Sequence, residues 1–122
     1  MSADPIDEMG AEILKAVGHP TRLRIVKFLR NGEHSVSEIV KGVQAEQSNV
    51  SHHLALLRQA GIVRSRKEGL RVYYRMSTPA LAEGLACVFV CAREVARVRV
   101  RADESLLAGQ RETRTSAASG GE

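Results

Sequence analysis

The sequence predicts a mainly α domain with one β-hairpin, an α+β arrangement of five helices, and three observations carry that reading. Apolar residues recur at helical spacing through four successive segments before Gly61. The period then changes to two in "VRSRKEGLRVYYRMS", and a last helical pattern follows Pro79. At 122 residues the chain fits one small domain around one core.

Each element has its own signal. Ile6, Met9, Ile13, Ala16 and Val17 predict a first helix from about Pro5 to Val17, ended by Gly18. Pro20 suits the first turn of a second helix with Leu23, Val26 and Leu29 on one face, and Asn31 with Gly32 stops it. Ser35 followed by Glu38 forms a capping-box pattern before Ile39, Val40 and Val43, which predicts a short third helix. A fourth runs from about Glu46 to Ala60 and closes on Gly61, where a left-handed cap is cheap. Val72, Tyr74 and Met76 then alternate with Arg71, Tyr73 and Arg75 in a strand that pairs with residues 63–67 across a Glu68-Gly69 turn. Thr78 and Pro79 start a fifth helix through Leu81, Leu85, Val88, Ala92 and Val95 to about Ala102. The expected organisation is a disordered N-terminus at 1–4, one domain at 5–108, and a disordered tail at 109–122, "GQRETRTSAASGGE".

Composition narrows the function classes. A net charge of +4 favours a polyanionic partner. No apolar run approaches the roughly 20 residues that span a bilayer, and "MSADPIDEMG" is acidic where a signal peptide is basic, so a cytoplasmic location is expected. Two cysteines in such a chain suit free thiols, metal ligands or redox groups better than a structural disulfide.

The fourth helix carries the most specific chemistry. With Val50, Leu54 and Leu57 facing the core, a 100° step sends Ser48, His52 and Gln59 to the opposite side and Ser51 and Arg58 to a shoulder. Short polar side chains at a helix N-terminus suit phosphates and base edges, and equally an ordinary solvated face. His53 falls near the apolar side, as a core histidine with its hydrogen bonds met. Residues 46–76 hold six basic side chains, Arg58, Arg64, Arg66, Lys67, Arg71 and Arg75, against Glu46 and Glu68. That surplus equals the net charge of the whole chain. A short helix, a tight turn, a polar-faced helix and a basic hairpin together make a winged helix-turn-helix, with one helix for the major groove and a hairpin for the backbone or minor groove. A merely solvated basic hairpin is the alternative. Gln47, Ser48, Asn49, Ser51 and His52 are the candidate readers of bases. Arg64, Arg66, Lys67 and Arg71 are the candidate phosphate contacts, with Arg58 beside them.

The segments "GHPTRLRIVKFL", "QSNVSHHLALLRQAGIV" and "RKEGLRVYYRM", in this order, resemble the ArsR/SmtB family of transcriptional repressors over about residues 10–100. The resemblance implies a homodimer joined through the first and last helices, which binds operator DNA and leaves it when an inducer binds. Two departures stand out. Where the family's metalloid site has a Cys-x-Cys pair after Gly-Glu, this chain has Ser35 and Ser37. The zinc-type site needs histidines on the last helix, and none of the four here lies beyond His53.

What remains for sensing is "ACVFVCAR", with Cys87 and Cys91 four apart on one helical face. Paired thiolates select soft ions, with As(III) or Sb(III) as first choice and Cd(II), Pb(II) or Hg(II) beside them. Persulfide or oxidant sensing is a second reading, though Glu83 and Glu94 would raise the thiol pKa values and a bridge along one helix would be strained. Buried structural cysteines without a sensing role are a third. DNA binding itself needs no cofactor. A thiol enzyme would need a phosphate-type loop or a histidine partner, and this segment has neither, so no catalytic residue is expected.

Overall fold

The computed structural model describes residues 4–119, with side chains described through residue 110. Its elements run α1 (Pro5–Val17), α2 (Pro20–Leu29), β1 (His34–Ser35), α3 (Val36–Val43), α4 (Gln47–Gln59), β2 (Val63–Glu68), β3 (Arg71–Met76) and α5 (Pro79–Ser119). Two compact units divide the chain, Met1–Ala86 and Cys87–Glu122.

In the first unit the ends of the helices are set by side chains that satisfy the otherwise unpaired first-turn N–H groups. Asp4 caps α1 through its carboxylate, which accepts from the Ile6 N–H at 2.9 Å. At α3 the expected capping box is complete: Ser35 Oγ accepts from the Glu38 N–H and Glu38 Oε1 from the Ser35 N–H, each at 3.2 Å. His34 lies 3.0 Å from the same Glu38 carboxylate. Its hydrogen bond, followed by those from the Ser35 N–H and hydroxyl, holds the Glu38 pKa down at about 2. Thr78 caps α5 by accepting from the Leu81 N–H at 3.1 Å.

The core gathers residues from every helix of this unit and from β2 and β3. Ile25, Val26, Ile39, Val50, Leu54, Leu57 and Ile62 are fully enclosed, and Leu81 and Ala82 pack against them from the first turns of α5. Val50, Leu54 and Leu57 thus occupy the buried side expected from their spacing. Between α3 and α4 the turn is only Gln44 to Glu46, with Gln44 in the left-handed region at φ 53°. Gly42 lets α3 approach α2, because a Cβ there would lie 2.3 Å from the Phe28 ring.

Three details of the strands and of α5 differ from the sequence expectation. The hairpin turn is Gly69-Leu70 rather than Glu68-Gly69, since Glu68 pairs with Arg71 and extends β2 by one residue. Gly69 has φ 62° and Leu70 lies outside the positive region, the pattern of a type II′ turn, which places glycine first. A two-residue strand, β1, adds to the outer side of β3 and gives the antiparallel order β1-β3-β2. Helix α5 continues past Ala102 to Ser119, because alanine, glutamate and leucine favour helix and no proline intervenes. Of the terminal segments expected to be disordered, Asp4 serves as the α1 cap, residues 1–3 and 120–122 lie outside the described residues, and the backbone of 109–119 is helical.

The second unit is the helix from Cys87 onward. Val88, Cys91, Ala92, Val95, Ala96 and Arg99 line one strip of it, with Val88, Val95, Val98 and Val100 exposed. Among the described residues no helix is long and apolar enough to cross a membrane.

Candidate nucleic-acid interface

Helix α4 is anchored on one side and open on the other. Its Val50, Leu54 and Leu57 are buried, while Gln47, Ser48, Asn49, Ser51, His52 and Arg58 are all exposed. Glu46 precedes the helix without a side-chain capping hydrogen bond, and no acidic residue lies in the first turn. The positive end of the helix dipole therefore emerges among short hydrogen-bonding side chains.

His53 and His52 are neighbours with different surroundings. His53 is half-buried, and its Nδ1 accepts from Arg22 Nε at 3.1 Å. Arg22 also donates to the Ala16 carbonyl at 3.1 Å, so it joins the end of α1 to α4. The His19 and His53 rings lie 4.5 Å apart, and His52 and His53 5.6 Å. Burial, then the nearby His19, Arg22 and His52, push the His53 pKa below its ordinary value. His53 is thus turned inward and hydrogen-bonded through Nδ1 but only half-buried, at the edge of the core and not within it as expected, and His52 is the outward one. The Arg22 partnership was invisible in the sequence, where the two residues are 31 apart.

The wing presents Arg64, Arg66, Lys67 and Arg71, all exposed, around a tip where Leu70 is 99% exposed. At its root Arg64 and Ser65 line one shallow hollow with Arg58 of α4, together with Ser77 and Thr78. Helix α4 and the wing therefore meet at a cationic surface. Arg66 stands apart from the other cations. Its guanidinium is 2.7 Å from Glu33 and 2.8 Å from Glu68, and lies 4.5 Å above the centre of the Tyr73 ring. That pairing raises the Arg66 pKa and lowers that of Glu33. Glu33 was not singled out in the sequence, which gives no sign that it faces a residue 33 positions away.

Cys87 and Cys91 are free thiols, exposed on α5. In the single chain they are not buried fillers. Among the described residues no group of three or more His, Cys, Asp or Glu side chains converges in a way that could hold a metal ion.

Comparison with known proteins agrees with this geometry. Residues 19–65 match the family described as bacterial regulatory protein, arsR family. The HTH-type transcriptional regulator Rv0081 of Mycobacterium tuberculosis is 36% identical over 110 residues, which span 89% of this chain and 96% of that one. Its crystal structure superposes with a TM-score of 0.69, covering 80% of this chain and 99% of that chain at 35% identity. A homodimeric winged helix-turn-helix DNA-binding domain, Mb0332 of Mycobacterium bovis, gives a TM-score of 0.69 at 31% identity over 78% of this chain and 91% of its own. A cadmium resistance regulatory protein CadC homolog from Staphylococcus aureus is 34% identical over 89 residues, 72% of this chain and 74% of that one. With α3, its three-residue turn, α4 and the wing in place, the chain belongs to the ArsR family of bacterial regulatory proteins, transcription regulators of winged helix-turn-helix build and not enzymes.

Proposed function

We propose that the protein is a homodimeric transcriptional repressor that binds duplex operator DNA and is released when a thiophilic ion binds Cys87 and Cys91. The observation that carries the DNA half is the outward face of α4, Gln47, Ser48, Asn49, Ser51 and His52, held rigidly by three buried apolar residues beside an exposed cationic wing. Rigid placement matters because a side chain reads a base edge only within hydrogen-bond tolerance. Arg58, Arg64, Lys67 and Arg71 would meet phosphates, which fix register without carrying sequence. Such a role places the protein where the DNA is, in the cytoplasm.

The sensing half rests on two exposed thiols one helical turn apart. As(III) or Sb(III) is the first choice, with soft metals such as Cd(II) next, since thiolate donors select such ions. The relative named for cadmium resistance favours the same class. A third ligand would come from the partner subunit. Ligation at this point would alter the dimer seam, and with it the separation of two recognition helices that must match half-sites about one DNA turn apart. An inducer acts only through its differential affinity for the two dimer shapes, so removing its ligands should leave DNA binding in place.

Selection of operators from random duplex DNA, followed by ion titration, tests both halves. The parent should enrich a two-fold symmetric consensus, which His52→Ala relaxes at a cost of about 1–3 kcal/mol per lost contact. Cys87→Ser with Cys91→Ser should bind as tightly as the parent and stay bound when As(III), Sb(III), Cd(II), Pb(II) or Hg(II) is added. No enrichment would refute the DNA half, and normal release of the double variant would refute the thiol half. A polysulfide that releases the parent when no ion does would transfer the sensing role to redox chemistry.

A further inference from the structure

We infer that Arg66 is a positioning residue that ties the wing to the α2–α3 connection and is not one of the phosphate contacts. The register of the sheet places it for this task. Tyr73 on the central strand β3 pairs with Arg66 of β2 on one side and Ser35 of β1 on the other. The Arg66 side chain crosses over the Tyr73 ring, 4.5 Å from its centre, and reaches Glu33, the residue next to β1. There its Nε donates to Glu33 Oε1 at 2.8 Å, while NH1 donates to Glu68 Oε2, also at 2.8 Å.

This arrangement spans the sheet with one side chain. β1 is only two residues long, so its backbone pairing with β3 is slight, and the ion pair adds a tie from the outermost wing strand to the connector that precedes α3. A hairpin has soft hinges at its root, and a bridge across all three strands limits how far it swings. Because α3 begins one residue after Ser35, the same tie connects the wing to the helix-turn-helix.

The charge balance argues against a phosphate contact by the same residue. Arg66 sits between two carboxylates, so a phosphate approaching it meets a net negative group and must displace at least one partner. Lys67 and Arg71 differ, since among the described residues neither forms an ion pair. Arginine suits the tie because its planar fork serves two carboxylates and stacks on an aromatic ring at once, which lysine does not.

The DNA arm of the test rests on the operator-binding reading, and a second arm does not. Full-length parent, Arg66→Ala, Arg66→Lys, Glu33→Gln, Lys67→Ala and the Arg66→Ala/Glu33→Gln double variant would be compared for operator affinity across a salt series. Backbone hydrogen exchange in β2 and β3 would be followed in the free proteins. Arg66→Ala and Glu33→Gln should each weaken binding about tenfold at every salt concentration with the parent's slope, and the double variant should be no weaker than either single one. Lys67→Ala should instead lower the slope by about 0.9, one phosphate's worth. Arg66→Lys should restore part of the loss. In the free protein both single changes should speed wing amide exchange severalfold. A slope lowered by Arg66→Ala, tighter binding by Glu33→Gln, or unchanged wing exchange in both variants would overturn the inference. If the parent bound no duplex at all, the operator-binding reading would fail while the exchange measurement would still decide the role of Arg66.

Discussion

The imidazole of His53 acts as an acceptor, and that role requires its Nδ1 to be unprotonated. Arg22 Nε donates to it at 3.1 Å, and the same arginine is fixed at its other end by the Ala16 carbonyl. Protonation would replace an accepted hydrogen bond by a cation facing Arg22, His19 and His52. Burial and these neighbours accordingly hold the folded-state pKa below the ordinary 6.5. A group depressed in this way contributes stability that is present above 6.5 and is lost as pH falls from there toward the folded value, because only the unfolded chain takes up the proton. We predict that unfolding free energy falls with pH in this window, and that His53→Gln, whose amide oxygen can still accept from Arg22, flattens the dependence. His53→Ala should cost about 1–2 kcal/mol at neutral pH. Chemical denaturation at a series of pH values checks both, and an unaltered slope in His53→Gln would show that the titrating group lies elsewhere.

At the scale of elements, the approach of α2 to α3 depends on one absent methyl group. A Cβ on Gly42 would meet the Phe28 ring at 2.3 Å, well inside contact distance. Gly42→Ala gains helix propensity of about 1 kcal/mol yet forces the ring or the helix to shift, and overpacking of this kind costs about 1–3 kcal/mol. The net expectation is a destabilisation of up to about 2 kcal/mol, readable in a denaturant midpoint, with Phe28→Leu in the same chain restoring much of it. The sequence made the helices legible because each has a local grammar of apolar spacing, cap and stop. The capping box at Ser35 and the buried row Val50, Leu54 and Leu57 needed nothing beyond neighbours in the chain. By contrast β1, two residues hidden inside that capping signal, exists only because β3 pairs with it. The turn shifted by one residue because cross-strand pairing of Glu68 with Arg71 extended the ladder. The same limit explains the site: the outward residues of α4 follow from periodicity, whereas Arg22 with His53 and Glu33 with Arg66 are joined only by folding.

For the whole molecule, the decisive quantity is how many copies act together. In α1, Ile6 is 67% exposed and Met9, one turn later, 57%. On the second unit Val88, Val95 and Val98 are exposed along α5. Large apolar side chains recurring at helical spacing on an exposed surface mark a face that another protein covers. The related Mb0332 domain is homodimeric, and the proposed homodimer would give the exposed apolar positions of each helix a partner. A dimer also serves the recognition task, because two helices held at fixed separation bind paired half-sites with an avidity that one helix lacks. We therefore predict that Met9→Glu with Val95→Glu yields a monomer by sedimentation equilibrium. Both positions are exposed in the single chain, so the fold should survive, with an unchanged far-ultraviolet circular dichroism spectrum. Operator affinity should fall about a hundredfold or more, and binding to an isolated half-site should fall little. A variant that stayed dimeric would place the seam on another surface. One that became monomeric yet kept full operator affinity would show that a single copy suffices, and would remove the basis for control through the α5 thiols.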